Sequence, residues 1–340
     1  MANQRAFQTS HLQPTFTPMK NKYFLSIIAV LCLGVLSFGL TKLKVYGQSI
    51  LGSTPSETSN SQASKTEQSP TAAAALVTKT AIVLPAVSPA AVTNNIKFRD
   101  SLNWAFGGKS QRGWFLYVPL IQQTIKTEAD SHTPEFAGAV AVWQQKNGLA
   151  PTGTIDGDTL YQMIKGWQAQ RLNRSQYPSD DQLLTAPIAD FYDPERGFDL
   201  LKVERETYAA YKKMLAAAAQ DLKLKLTATG ELAPEEKFMR IVSAFRSREY
   251  QAKLRAAEPN AGRAALATNS PHFTGHALDI YVGGEPVKTV DYNRAIQVQT
   301  PAYKWLVKNA ERFGFYPYYY EPWHWEYIPE NVKSTFNQTH

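Results

Sequence analysis

Two short stretches near the C-terminus hold residue types that can do hydrolytic chemistry. They are Ser270-Pro-His-Phe-Thr-Gly-His-Ala-Leu-Asp279 and Glu321-Pro-Trp-His324. Between them they offer imidazoles and carboxylates in the number a hydrolytic zinc ion needs. A catalytic zinc takes three nitrogen or oxygen ligands and keeps a fourth position open for water. His272, Asp279 and His324 fill the three, and Glu321 is left over. That spare carboxylate suits a general base, because zinc lowers the pKa of its water towards neutrality and only a nearby proton acceptor is then required. A closed structural zinc site has no use for the extra acid. The His-His-Asp donor set also admits iron.

The elements that must position these residues follow from local pattern. His272 and Asp279 are seven apart, which excludes the one-face helical pairing of His-Glu-x-x-His. Gly275 marks a turn, and Ala277 to Val282 reads as a strand leaving it, with Asp279 on one face. The aromatic segment Tyr318 to Ile328 reads as a neighbouring strand carrying Glu321 and His324. Upstream, Glu206 to Leu226 repeats apolar residues at three and four and predicts an amphipathic helix. Lys237 to Phe245 predicts a central strand ending at Arg246, with Ser247 capping a helix over Arg248 to Ala257. Thr300-Pro301 opens a further helix, and Gly314 follows its last turn. The aromatic residues from Trp305 to Trp325 are assigned to core and pocket wall. His276, inside the first stretch, is read as an exposed or supporting residue and not a ligand.

The spacing Ser-x-His-x-x-Gly-x-Ala-x-Asp followed by Glu-x-Trp-His resembles the VanY-type zinc D-alanyl-D-alanine carboxypeptidases. Ser243-Ala-Phe-Arg-Ser-Arg-Glu-Tyr-Gln251 resembles that family's Ser-x-Tyr-Arg-Ser-x-x-x-Gln segment, with Phe245 in place of the commoner Tyr. The resemblance covers roughly residues 200 to 330. It implies Zn2+ held by His272, Asp279 and His324, Glu321 as base, and Arg246 as the cation that meets the substrate. It further implies that Ser270 and Gln251 hold the terminal carboxylate of a peptidoglycan stem peptide. An L,D-carboxypeptidase or a cross-bridge endopeptidase would keep the same metal site; an inactive wall-binding scaffold is the non-enzymatic alternative.

The expected fold class is α+β, a zinc peptidase domain over 199–333 with a small mixed or antiparallel sheet and flanking helices. A connector, 168–198, precedes it. Residues 101–167 are expected to form a small all-α, three-helix unit: Phe136 to Leu160 reads as a helix ending at Gly148, a turn, and a second helix capped by Asp156 or Asp158. Trp143-Gln144, Gly148-Leu149 and Asp156 resemble the run that marks peptidoglycan-binding domains, which implies an affinity for wall glycan.

Tyr23 to Leu40 is an uncharged apolar run long enough to cross a bilayer. No small-x-small cleavage pattern follows it closely, so the expectation is a transmembrane signal anchor over 23–41 with a cytoplasmic tail, 1–22, and the catalytic part on the periplasmic or extracellular side. A cleaved signal peptide is the rival reading. Residues 42–95 are rich in Ser, Thr, Ala, Pro and Gln and read as a disordered linker. The single cysteine, Cys32, lies in the apolar run, so no disulfide within the chain is possible. A formal net charge of +7 suits a polyanionic wall or membrane surface. No phosphate loop or base-reading pattern accompanies it, which argues against nucleic acid as a partner.

Overall fold

The structure is a computed structural model, and it describes residues 87–169, 171, 177–257 and 270–329. The expected cytoplasmic tail, membrane anchor and most of the linker lie outside the described residues. No described helix is long and apolar enough to cross a membrane.

The first helix, α1 (Pro89–Ser101), begins inside the segment 42–95 expected to be linker. Ser88 caps it by accepting from the Ala90 N–H at 3.2 Å, and Pro89 occupies its first turn, where a missing N–H costs nothing. Composition alone reads as coil here. Order comes from Asn95, which is buried and bridges the Gly153 carbonyl and the Ile155 N–H at 2.9 and 2.8 Å. That contact spans about sixty residues and leaves no local trace.

The unit expected to be all-α contains a β-hairpin, β1 (Asn103–Phe106) and β2 (Lys109–Arg112), joined by Gly107-Gly108. Both turn glycines have positive φ, +58° and +78°, the requirement of a tight two-residue hairpin turn. Three helices follow: α2 (Val118–Ile125), α3 (Pro134–Lys146) and α4 (Gly157–Ala169). Asp156 caps α4 by accepting from the Thr159 N–H at 2.8 Å. Gln144 is buried on α3, accepts from the Gly153 N–H at 2.8 Å and donates to Thr154 O and Thr159 Oγ1. It therefore pins the α3–α4 loop, a structural duty for a residue of the motif-like run.

Within the expected connector, β3 (Leu183–Thr185) pairs antiparallel with β4 (Lys202–Glu204). Glu204 then caps α5 (Arg205–Leu222) by accepting from the Glu206 and Thr207 N–H groups at 3.0 and 2.8 Å. The main sheet comprises β5 (Ile241–Ser243), β6 (Ala277–Ile280), β7 (Phe315–Pro317) and β8 (His324–Tyr327), in the order β5-β6-β8-β7. Every pairing is antiparallel, as the α+β expectation allows. Around the sheet lie α6 (Arg248–Ala257), α7 (Asp291–Gln299) and α8 (Pro301–Asn309).

The strand expected over Lys237 to Phe245 is shorter than its apolar pattern and lies at one end of this sheet, not at its centre. Met239 has φ +72°, a left-handed conformation outside strand geometry, although its N–H still donates to the Tyr281 carbonyl at 3.0 Å. The Arg240 side chain is buried and donates to the Ala233 and Glu236 carbonyls, tying the chain down before the strand starts. Phe191 adds only an isolated parallel bridge to Ile241.

All described residues fall within one compact unit. A continuous apolar core runs from Trp114, Tyr117, Leu120 and Phe136 to Tyr211, Ile241, Leu278, Ile280 and Trp325. Each fully buried aliphatic side chain of this kind contributes about 1.5–3 kcal/mol relative to exposure. The core reaches the site from below: Leu278 and Ile280 are buried on β6 on either side of Asp279.

Candidate metal centre

The register of the sheet assembles the centre. Ser243 on β5 lies opposite Asp279 on β6, and Asp279 lies opposite His324 on β8. Directly opposed residues bring their side chains within contact range, so one row across three strands gathers these groups. His272 arrives from the short 3-10 turn Pro271–Thr274, capped by Ser270, whose hydroxyl accepts from the His272 N–H at 3.3 Å. Gly275, at φ +73°, then turns the chain into β6.

His272, Asp279 and His324 each offer one ligand atom, and these atoms lie within 4.8 Å of one another. Asp279 Oδ1 is 3.3 Å from His272 Nε2 and 2.9 Å from His324 Nδ1. Ligand atoms bonded at about 2.0–2.1 Å to one tetrahedral ion stand roughly 3.3 Å apart. The other carboxylate oxygen, Oδ2, accepts from an Arg246 terminal nitrogen at 2.7 Å. Asp279 thus has one oxygen for an ion and one fixed by Arg246. Arg246 Nε donates to Ser243 Oγ at 2.9 Å, which orients the guanidinium from the end of β5.

Both imidazoles are anchored through the nitrogen that faces away from Asp279. His272 Nδ1 meets the Ala244 carbonyl at 2.7 Å; a carbonyl can only accept, so Nδ1 carries the proton and Nε2 presents a lone pair. His324 Nε2 meets Glu326 Oε1 at 3.2 Å. Glu326 also accepts from Arg171, whose Nε stands 3.0 Å away and whose guanidinium lies over the Tyr318 ring at 4.2 Å.

Burial, aided by the Arg246 charge, pushes the His272 imidazolium pKa down to about 4. Burial acts against the charge on His324 as well, yet its bonds to Asp279 and Glu326 outweigh this and push it up to about 9. For Asp279, burial would raise the carboxyl, but His272, His324 and Arg246 together hold it well below the ordinary carboxylate range.

Glu321 sits on the turn before β8, whose backbone closes through a His324 N–H bond to the Glu321 carbonyl at 2.9 Å. Its side chain is buried, and Oε1 has no hydrogen-bond partner among the described residues. Burial pushes its pKa up to about 7, with the Asp279 charge adding to the rise and His324, Lys109 and Arg246 opposing it. A buried carboxylate oxygen left unsatisfied is costly unless something else answers it. Its position beside three converging nitrogen and oxygen donors fits a divalent cation. No thiolate belongs to this donor set, which points to the borderline and harder ions.

His272, Asp279, His324 and Arg246 are brought into one bonded cluster, with Glu321 electrostatically coupled to it. Ser270 adjoins the cluster through the His272 backbone. Gln251 is buried on α6. His276 points elsewhere, 2.9 Å from Thr207 Oγ1 and 3.4 Å from Glu204 Oε2. Sequence reasoning missed Glu326 and Arg171. The signal for Glu326 was its two-residue spacing from His324, which on a strand puts both side chains on one face. It also missed Lys109, whose ammonium lies 3.9 Å from the centre of the Tyr320 ring.

Residues 200–330 match the model of the VanY family, described as D-alanyl-D-alanine carboxypeptidase. The matched segment contains the His272–Asp279–His324 cluster. The matched residues lie outside 101–167. Among solved structures, the LdcB LD-carboxypeptidase is similar over 49% of this chain and 77% of its own, at 23% identity and a TM-score of 0.33. A comparison with curated proteins returned no match.

Proposed function

We propose that this chain is a zinc-dependent carboxypeptidase that removes the terminal D-alanine from peptidoglycan stem peptides. The observation that carries the reading is the Glu321 carboxylate, buried and unsatisfied beside the His272–Asp279–His324 donor set. His272, Asp279 and His324 would hold zinc, which would supply Lewis acidity to acidify the attacking water and polarise the scissile carbonyl. Glu321 accepts the proton of the attacking water and returns it to the leaving amine; a carboxylate whose pKa sits near neutrality serves both transfers. Arg246 is fixed by Asp279 and Ser243, so its remaining donors face the peptide without the entropic cost of ordering a free side chain. Ser270 and Gln251 hold the terminal carboxylate. Asp279, whose carboxyl is held well below the ordinary range by His272, His324 and Arg246, balances the cation.

The family match and the geometry of the centre support this reading. The export of the catalytic part, its anchoring by residues 23–41 and an affinity of 101–167 for wall glycan complete the proposal. The deciding experiment measures D-alanine released from a pentapeptide ending D-Ala-D-Ala and from a tetrapeptide ending in a single D-Ala, with zinc, with chelator and with Glu321→Gln. Metal-dependent release from the pentapeptide that the substitution abolishes supports the D,D reading. Release from the tetrapeptide alone moves the activity to the L,D class, and release from neither overturns the carboxypeptidase reading.

A further inference from the structure

The hairpin β1–β2 belongs in sequence to the segment expected to bind glycan, yet it packs on the turn that carries Glu321. The Phe106 ring meets the Tyr319 ring edge-on at 5.5 Å between centroids. Lys109, first residue of β2, places its ammonium 3.9 Å from the centre of the Tyr320 ring, and Tyr320 immediately precedes Glu321. The strap is held from behind. Gln111 accepts from the Tyr117 hydroxyl at 2.7 Å, that hydroxyl accepts from the buried Arg294 at 2.6 Å, and the Arg294 guanidinium lies 4.3 Å from the Tyr320 ring centre. Lys109 is therefore delivered to the site by a braced element.

Its charge there is answered by the Tyr320 ring face and, without a salt bridge, by Glu321. Among the described residues the Lys109 ammonium is in no salt bridge or hydrogen bond, and the carboxylate that acts on it is Glu321. Other cations nearby have their own acids: Arg246 has Asp279, and Arg294 has Asp291 at 3.1 Å. Burial lowers the Lys109 pKa from its ordinary value, which marks an ammonium already partly stripped of water. A partly desolvated, positioned cation that makes no salt bridge can take a substrate carboxylate.

We infer that Lys109 is a substrate-binding residue, and that the β1–β2 hairpin forms a wall of the catalytic cleft which recognises a second carboxylate of the peptide, one lying N-terminal to the scissile bond. The terminal carboxylate is assigned to Ser270 and Gln251, which lie on other elements. This inference rests on the carboxypeptidase reading. It changes the role of the N-terminal unit, which becomes part of the specificity machinery and not only a tether to the wall.

The test uses the full zinc-loaded chain and two peptides that differ only in whether the internal carboxylate is free or amidated. The enzymes are wild type, Lys109→Met and Lys109→Arg. A charge-assisted contact of this kind implies a loss of roughly tenfold in kcat/KM for Lys109→Met on the free-acid peptide, carried mainly by KM. On the amidated peptide Lys109→Met removes only the charge that acts on Glu321, so its loss should be clearly smaller than on the free acid, and Lys109→Arg should recover most of the loss on the free acid. Equal losses on both peptides, or no loss on either, overturn the inference while wild-type turnover leaves the carboxypeptidase reading standing. Absence of metal-dependent turnover by wild type on both peptides overturns that reading, and this inference with it.

Discussion

His324 and Glu326 lie two residues apart on β8, on one face of the strand, and meet through Nε2 and Oε1 at 3.2 Å. A strand brings i and i+2 to the same side, so the partner that orients the proposed metal-ligating imidazole is built into the spacing of the strand itself. Glu326 is buried, and Arg171 holds its charge in place. Carboxylates that accept from the distal nitrogen of a ligating histidine fix its tautomer and raise its basicity. Glu326→Gln should therefore lower zinc affinity by about 10–100-fold while leaving the fold in place. Competition against a chelator of known affinity measures this; unchanged affinity would sink the orienting role.

Glu321 makes a prediction in two directions. Its proton-transfer role sets an expected loss of about 10²–10⁴-fold in kcat for Glu321→Gln, with zinc still bound. Stability moves the other way in the metal-free protein. The folded pKa of about 7 lies above the ordinary 4.5. The fold thus favours the protonated acid. That contribution is complete below about pH 4.5 and is lost as pH rises through about 7, amounting to about 3 kcal/mol. Glutamine carries no such loss. Metal-free Glu321→Gln should therefore melt higher than wild type at pH 8 and about equally at pH 4.5, as calorimetry at the two values would show. Bound zinc lowers the pKa through its charge, so the acid limb of kcat/KM should fall at or below about 7.

Arg246 is held by two bonds of different direction, Nε to Ser243 and a terminal nitrogen to Asp279. A lysine keeps the charge but has one nitrogen and no planar fork. Arg246→Lys should retain zinc and lose roughly 10–100-fold in kcat/KM, the equivalent of one charge-assisted contact. Arg246→Ala also strands the buried Asp279 Oδ2, so it should add a stability cost of about 1–3 kcal/mol. If the lysine variant kept full kcat/KM, the guanidinium would have no part in meeting the substrate.

The cluster was legible because its residues sit in two short runs whose order and spacing are tied to one row of the sheet. His272, Asp279 and His324 could be named before any pairing was known. Glu326 and Arg171 could not, since their part depends on which face of β8 points inward and on a contact spanning 155 positions. Lys109 was hidden for a stronger reason: it lies in a segment read as a separate helical unit, and only packing brings β2 against Tyr320. The caps of α6, α8 and the turn at Gly314 were visible because they are local chemistry. The length of β5 was not, because Met239 in the left-handed region and the inward Arg240 side chain override an apolar run. In α1, the deciding bonds of Asn95 are tertiary, and composition pointed to coil.

Gly275 links the two halves of the first ligand stretch, three residues after His272 and four before Asp279. It takes φ +73°, and a Cβ there would stand 2.7 Å from the Glu204 Cβ. Glu204 cannot retreat cheaply, because it caps α5 and accepts from the Thr207 hydroxyl at 2.8 Å. Gly275→Ala therefore combines left-handed strain with a backbone-supported clash, while Gly230→Ala, at φ +82° with nothing within 4 Å, has the strain alone. Strain of this type costs about 1–3 kcal/mol. Gly275→Ala should exceed Gly230→Ala in lost stability, and it alone should weaken zinc binding, since relieving the clash moves the turn that carries His272. Denaturant melts of the two metal-free variants together with zinc titrations separate these effects. Equal stability losses with unchanged zinc affinity would show that the turn yields without disturbing the ligands.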